Sequence, residues 1–466
     1  MSTSFDGAAL TDAALAACPP GIDMVAIAER AGRANLRWAR NNLTTNGCTA
    51  EGSLTIIAIN RDTGAVRTAS RTQTGPTTES AAQLSARVAS EASTAPPRSD
   101  EESALPDGSA DADFATSAPA FGPQVLDPLV AGLSDTLTAS SPDDAQWSGY
   151  AEACLDSTWL STTAGTRRVH HQSTARFETT RRSIRGDGQV VSTWAGRSSE
   201  AFSADTARSA AAQATAMSQW AAQDAEVDPG RHRVLLTGEA FADLAIYAMW
   251  SASARGALEG SNAFSLAEGG TKLGQAVVSP RITVSSGPDL TGITTMPFVV
   301  EHTSGPNSSV LDNGEAVPTT TWIDHGVLQH LIGSRSLQRS LPQARRASDN
   351  IAIDGSGTGT LNDLIARTED ALLITSLWYI REVDPQSMLL TGLTRDGVYR
   401  IRDGQIVGSA PNFRFNASPL DVMSRVTDAT TNQRVQPREW GDYVFRVSAP
   451  AILSEDFNLS TRSDAR

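Results

Sequence analysis

The chain has 466 residues, of which 40% are hydrophobic and 19% charged, a composition typical of a soluble globular protein of two or three domains. A net charge of −14 argues against nucleic acid and anionic membranes as partners. The sequence has no run of 18 apolar residues, no signal-peptide pattern and only three widely spaced cysteines, so we expect a cytoplasmic protein without membrane spans or a disulfide framework.

The first predicted elements are a helix and a strand. Asp23 can cap a helix that continues through Ile27 towards Trp38. The alternation of apolar and polar residues over Ser53–Asn60 predicts a strand, and Thr77–Glu91 reads as a second helix. Helices and strands are therefore mixed from the start of the chain.

A change in composition follows at residues 91–123, which are rich in proline, alanine and acidic side chains and predict a solvated loop. Strand patterns return over Leu160–Thr163, Arg167–Thr180 and Gln189–Gly196, and an alanine-rich helix is predicted over Asp205–Ala225. The short turns between these strands indicate antiparallel neighbours.

These elements predict an α+β protein of two domains. Residues 23–228 form a mixed α/β domain with antiparallel strands and long helices. Residues 229–466 form a second domain, which opens with the strand Arg233–Leu236 and a helix led by Gly238 and Glu239. The rest of this domain reads as largely antiparallel β structure.

Near the C-terminal end, a buried strand precedes a hairpin. Ala371–Tyr379 is almost entirely apolar, which predicts one strand buried on both faces. Asp403 and Gly404 form a two-residue turn of the type that needs positive φ. Counting outward from that turn places Ile401 opposite Ile406, so both isoleucines share the buried face of the hairpin.

Several short motifs of the second half occur in an order that resembles one known family. They are the turn and strand Trp322–Leu328, the glycine-rich loop Asp354–Gly359, Val383-Asp384-Pro385, Gly392–Gly397 and Asn412–Asn416. In this order they resemble the C-terminal domain of the TldD/PmbA (TldE) family, whose members are the two subunit types of a bacterial zinc-dependent peptidase. The resemblance covers roughly residues 230–460 and reaches the first half only as a general pattern.

The zinc-bearing branch of that family carries a His-Glu-x-x-x-His helix after a strand, and Val234–Leu244 is the corresponding run here. Glu239 is present, but no histidine lies between His232 and His302. Asp243 could share a helix face with Glu239, although acids early in a helix more often interact with the helix dipole, and zinc prefers three ligands including histidine. We therefore predict no catalytic residue, no metal ligand and no cofactor in this chain.

The resemblance implies a TldE/PmbA-like subunit that is catalytically silent and pairs with a TldD-type homologue carrying the zinc. Such a complex degrades or trims small or unfolded peptides. Two alternatives remain, namely a stand-alone hydrolase and a peptide-binding homodimer built on the same fold.

A peptidase that accepts many sequences must hold its substrate through the peptide backbone. The charged loop predicted from Arg381 to Asp396 is the candidate site, with Arg381 or Arg395 pairing with a carboxylate or carbonyl group of the peptide. Asp384 and Thr391 complete the candidate peptide-binding set. The alternative is that Arg381 pairs with Asp384, and Arg395 with Asp396, only to hold the loop in place.

Overall fold

The computed structural model describes residues 5–61, 65–98, 104–139 and 144–463. The strands of its first part are β1 (Ile22–Ala39), β2 (Asn42–Asn60), β3 (Val66–Thr74), β4 (Pro97–Arg98), β5 (Gln146–Thr162), β6 (Arg167–Ile184) and β7 (Val190–Ser199). The helices of this part are α1 (Gly7–Ala16), α2 (Thr78–Thr94), α3 (Asp127–Thr138) and α4 (Thr206–Trp220). The strands form one antiparallel sheet in the order β4-β3-β2-β1-β5-β6-β7, and α1, α2 and α4 pack against it.

The predicted helix from Asp23 to Trp38 is wrong, because this segment forms β1 at the centre of the sheet. β1 pairs along nearly its whole length with β2 on one side and β5 on the other. Those long-range ladders override the local helical spacing of apolar residues. The predicted strand Ser53–Asn60 lies within β2, and the predicted helix Thr77–Glu91 corresponds to α2, whose N-terminus is capped by Thr77.

The predicted loop at residues 91–123 is held more firmly than a solvated segment would be. α2 continues to Thr94, and residues 99–103 lie outside the described part of the chain. Beyond them, Asp111 accepts a 2.7 Å hydrogen bond from Arg168 of β6. This contact anchors the described part of the loop to the sheet.

The second part of the chain adds many shorter strands and five helices within the described residues. The strands are β8 (Gly230–Leu236), β9 (Thr283–Ser286), β10 (Thr320–Asp324), β11 (Val327–Leu328), β12 (Leu331–Ile332), β13 (Ala344–Arg345), β14 (Ile351–Asp354), β15 (Asp370–Ile374), β16 (Leu377–Asp384), β17 (Leu389–Thr394), β18 (Val398–Arg402), β19 (Gln405–Ser409), β20 (Asn412–Ala417), β21 (Val426–Ala429), β22 (Gln433–Val435), β23 (Val447–Ala449) and β24 (Ile452–Ser463). The helices are α5 (Gly238–Trp250), α6 (Ala254–Leu258), α7 (Arg335–Gln338), α8 (Leu361–Ala366) and α9 (Pro419–Ser424).

Two mixed but mainly antiparallel sheets organise this part. A larger sheet runs β16-β17-β20-β24-β8-β15-β18-β19 with β21 beside β24, and a smaller one runs β11-β10-β9-β14-β23-β22. α5 belongs to the large apolar core of this part, where Phe241, Leu244 and Ile246 are fully buried. The α+β class predicted from the sequence is confirmed, and the predicted boundary at 228/229 lies between α4 and β8.

No helix in the described ranges is both long and apolar enough to cross a membrane.

The apolar run Ala371–Tyr379 is two strands rather than the single strand predicted. Ile374 ends β15 opposite Val398 of β18, whereas Leu377 begins β16 opposite Thr394 of β17. The chain changes partner strand within two residues, and an apolar pattern alone carries no sign of such a change. Tyr379, at the end of the run, is 58% exposed.

The predicted charged loop from Arg381 to Asp396 is also wrong, since most of it is the hairpin formed by β16 and β17. Alternating residues of β17 are buried, so this segment belongs to the sheet. The following hairpin is as predicted: Ile401 lies opposite Ile406, and Asp403 and Gly404 have φ of +49° and +74°.

The turn at Gly404 gives a direct test of the fold. We expect Gly404→Ala to lower the free energy of unfolding by about 1–3 kcal/mol, because φ is positive and an added Cβ would collide with the carbonyl oxygen of Ala366. The matched control is Gly186→Ala, where an added Cβ has open space, and we expect a change within about 0.5 kcal/mol. Urea unfolding of both variants checks this, and equal effects would contradict the turn geometry.

Candidate functional site

The carboxylate of Asp243, on α5, lies at the centre of a contact between distant parts of the chain. It is fully buried and accepts backbone hydrogen bonds from Arg438, Glu439 and Trp440 at 3.1–3.3 Å. Burial raises the pKa of Asp243 to about 8, while the three N–H groups act in the opposite direction. The side chain of Asp243 therefore holds the backbone of residues 438–440 at α5, and the indole N–H of Trp440 also donates to the carbonyl oxygen of Asp243 at 3.0 Å.

The side chains at this helix do not fit a zinc ion. Asp243 uses both carboxylate oxygens on backbone N–H groups, and Glu239 lies half-buried near the guanidinium of Arg197. His232, on the preceding strand, is bonded to the carbonyl oxygen of Asp228 at 2.9 Å. Among the described residues, no three histidine, cysteine, aspartate or glutamate side chains cluster so that they could hold a metal.

Glu439 fastens the same segment to the edge of the larger sheet. Its carboxylate accepts the N–H groups of Tyr379 and Ile380 at 2.8 and 3.0 Å, where the β16 ladder is irregular. Arg381 also lies 3.3 Å from this carboxylate, and its guanidinium is 4.5 Å from the Tyr379 ring. Arg381 is therefore paired with Glu439 and not with Asp384.

Asp384 and Thr391 make contacts within the β16–β17 hairpin and the strand beside it. The carboxylate of Asp384 accepts the hydroxyl and N–H of Ser387 in the turn, and the hydroxyl bond lowers the pKa of Asp384. Thr391 lies opposite Arg381 in the ladder and donates to the carbonyl oxygen of Phe415 at 3.2 Å. These contacts give both residues a structural role in the hairpin and the sheet.

A second buried pair joins Arg438 to Asp396, and both side chains are less than one-tenth exposed. Arg438 also donates to the Ser376 hydroxyl at 2.9 Å. Its guanidinium lies 5.3 Å from the rings of both Trp194 and Trp378. Stacking with aromatic rings and pairing with a carboxylate together fix this guanidinium. Because Trp194 belongs to β7, the pair also connects the two parts of the molecule.

Arg395 lies beside this pair, at the end of β17. Its Nε is 3.5 Å from the Asp396 carboxylate, and its guanidinium is 5.9 Å from the ring of Trp378. Of the four predicted peptide-binding residues, Arg395 alone lines a large cleft.

This cleft has a volume of about 840 Å³ and lies where β6, β7 and the end of α4 meet the second part of the chain. A volume of this size is in the range of small-ligand sites. The charged side chains that line it are Arg182, Arg185, Arg395, Arg438, Arg462, Asp224, Glu226 and Asp396. Arginines outnumber acids by two at a cleft in a chain whose net charge is −14.

Two of these arginines are held by carboxylates at the rim of the cleft. Arg185 donates to Asp187 and to Asp224, both through contacts of about 3 Å. Arg462 lies 3.2 Å from Asp228. Their charge is therefore partly balanced before any ligand enters.

Sequence reasoning missed the roles of Arg438 and Trp194 and the buried role of Asp243. The sequence does carry one signal, because residues 436–443 combine a proline, a glycine, charges and aromatic residues, which is typical of a shaped loop. The partners of that loop are far away in the sequence and have no local pattern.

Comparison with known proteins gives a family and a fold. The family model described as the PmbA/TldA metallopeptidase C-terminal domain matches residues 229–461. No curated protein matches the chain.

Three solved structures have the same fold over almost the whole chain. TldE from Thermococcus kodakarensis is 13% identical, with a TM-score of 0.74 and coverage of 97% of this chain and 99% of that one. A candidate modulator of DNA gyrase from Thermotoga maritima is 12% identical, with a TM-score of 0.73 and coverage of 96% and 98%. A protein from Bacteroides thetaiotaomicron with the same description is 12% identical, with a TM-score of 0.70 and coverage of 97% of each chain.

At such low identity these likenesses show the fold alone. The family match spans residues 229–461, which is half of the chain, and it agrees with the motif order read from the sequence. The chain therefore belongs to the TldD/PmbA family.

Proposed function

We propose that this chain is a TldE/PmbA-like subunit without catalytic activity of its own, which pairs with a TldD-type, zinc-bearing homologue in a cytoplasmic peptidase. The substrates of the pair are small or unfolded peptides. The observation that carries the proposal is the bonding of Asp243. This carboxylate stands on the helix that bears zinc ligands in the other branch of the family, and here it holds residues 438–440 in place.

The division of work follows from what each chain contains. Zinc in the partner supplies the Lewis acid and the activated water for hydrolysis of a peptide bond. In this chain, the segment beside Asp243 of α5 is engaged in its own contacts, since Arg438 forms a buried pair with Asp396 and Glu439 pairs with the exposed Arg381. Its contribution is therefore to bind peptide and to complete the partner's site.

The peptide-binding role is assigned to Arg395 rather than to the other three candidates. Arg381 is engaged by Glu439, while Asp384 and Thr391 have hydrogen bonds within the sheet and its turn. Arg395 borders an open cleft and has one distant carboxylate contact. Of the four candidates, Arg395 therefore has the most hydrogen-bonding capacity left for a peptide.

An exposed aromatic cluster supports pairing with another chain. Trp250 is 45% exposed and Tyr443 is 72% exposed, and their rings meet edge to face at 6.2 Å. Trp440 lies 5.0 Å from Trp250, so the cluster is continuous with the segment that Asp243 holds. Tryptophan and tyrosine are enriched at the centres of protein interfaces. We infer that this surface contacts the zinc-bearing homologue.

Peptidase activity is expected only when both chains are present. The test measures cleavage of an unstructured peptide by this chain alone, by a co-expressed zinc-bearing homologue alone, and by the two together, with and without a chelator. We expect chelator-sensitive cleavage that rises at least about tenfold in the mixture over either chain. Cleavage by this chain alone that resists the chelator would instead support a stand-alone hydrolase.

The aromatic cluster should determine the affinity of pairing. Trp250→Ala and Tyr443→Ala are each expected to weaken the pair by about 1–3 kcal/mol, since large aromatic side chains in interfaces contribute most on truncation. Val130→Ala is the control, because Val130 is similarly exposed but lies on α3 of the first part. Sedimentation velocity of the mixtures measures the effect. If both aromatic variants pair as tightly as the wild type, the interface lies elsewhere. If the chain associates with itself in the absence of the homologue, the result favours the peptide-binding homodimer.

Asp243 should make stability depend on pH. In the unfolded chain the pKa of this carboxyl group is near its ordinary value of 3.8. In the folded chain burial raises this pKa to about 8. Unfolding therefore releases a proton between these values, so the free energy of unfolding falls as pH rises through that window, by up to about 1.4 kcal/mol per pH unit. Asp243→Asn should flatten this slope.

Urea unfolding between about pH 5 and about pH 8 measures the slope for the wild type and the variant. Asp135→Asn is the control, because Asp135 is an exposed carboxylate of α3. A slope that persists in Asp243→Asn, or that disappears equally in the control, would show that other groups determine it.

A further inference from the structure

Tyr399 brings a tyrosine side chain to the lining of the cleft. The side chain is 1% exposed, and its ring meets Trp220 edge to face at 5.4 Å. It lines the cleft of about 840 Å³, and its hydroxyl makes no hydrogen bond with the described residues. Burial, together with the nearby Asp396 carboxylate, raises the pKa of Tyr399, so the hydroxyl stays protonated and can donate.

Two guanidinium groups of the same cleft also have donors to spare. Arg395 is one-third exposed and shares Asp396 with Arg438, which makes the shorter contact with that carboxylate. Arg182, on β6, is exposed and has no ion-pair partner among the described residues. The cleft therefore presents hydrogen-bond donors from both parts of the molecule.

The rest of the lining is suited to an organic ligand. Val190, Val398, Ala410 and Pro411 supply apolar surface next to the charged groups. The acids Asp224, Glu226 and Asp396 limit the positive excess to two. This balance suits a singly charged planar anion with an apolar body better than a phosphate, and a guanidinium fork matches a carboxylate with two parallel hydrogen bonds.

We propose that the cleft binds the C-terminal carboxylate of a short peptide. Arg395 pairs with the carboxylate, Tyr399 donates its hydroxyl to it, and Arg182 adds positive charge at the mouth. The valine and proline side chains contact the last residue of the peptide. This inference rests on the peptide substrate of the proposed function and adds where one end of that peptide lies.

The test is calorimetric titration of the purified full chain with N-acetylated tetra-alanine, either as the free acid or as the C-terminal amide. We expect the acid to bind at least about tenfold more tightly than the amide, which corresponds to about 1.4 kcal/mol. Acetate and inorganic phosphate are titrated as competitors, and both should compete at least about tenfold more weakly than the peptide acid.

Two variants and a control assign the contacts. Arg395→Gln should weaken binding of the acid about tenfold and leave the amide unchanged. Tyr399→Phe should weaken it about threefold to tenfold, and because this change removes only the hydroxyl, folding is preserved. Arg208→Gln, an exposed arginine of α4 outside the cleft lining, should have no effect. Circular dichroism of each variant confirms that it is folded.

The proposal is overturned if the acid and the amide bind equally, if neither binds, or if both cleft variants bind the acid like the wild type. Acetate or phosphate competing as well as the peptide acid would assign the cleft to a free anion and also overturn it. If the peptide acid does not bind this chain but the two chains together still cleave peptide, this inference is rejected and the proposed function stands. Binding of the peptide acid without any pairing would reject the proposed function and leave this inference standing.

Discussion

A carboxyl group inside a protein is unstable unless hydrogen bonds replace those it made to water. Asp243 obtains three such bonds from the successive N–H groups of Arg438, Glu439 and Trp440. The bonds determine where that segment lies. Once it is in place, Arg438 reaches Asp396 between two tryptophan rings, and the Glu439 carboxylate reaches the irregular part of β16.

The same contact explains how α5 anchors a distant segment of its own chain. Both carboxyl oxygens of Asp243 are engaged by backbone N–H groups, and its neighbours Ala242 and Leu244 on α5 are apolar and buried. The segment of residues 438–440 also connects the interior to the exposed ring of Trp250 and to the edge of the cleft beside Arg395. In our account, partner contact and peptide contact therefore both depend on the anchored segment.

The sequence predicted the features that adjacent residues determine. The Asp403-Gly404 turn and the helix after Gly238 depend on local backbone preferences, so their patterns were sufficient. β1 was misread because its conformation is decided by two neighbouring strands rather than by its own spacing. The contact of Asp243 with Arg438 joins residues 195 positions apart, and no motif marks either end of it. Arg395 was selected for its charge alone, while its cleft depends on how both parts of the chain meet.

The central claim is that α5 holds a segment of its own chain and no zinc. Elemental analysis of the purified chain, after dialysis against a buffer that contains zinc and then against a metal-free buffer, tests it most directly. The account predicts zinc far below one equivalent per chain, with the same value in Glu239→Ala. About one zinc per chain that is lost in Glu239→Ala would contradict it, because α5 would then present ligands to a metal.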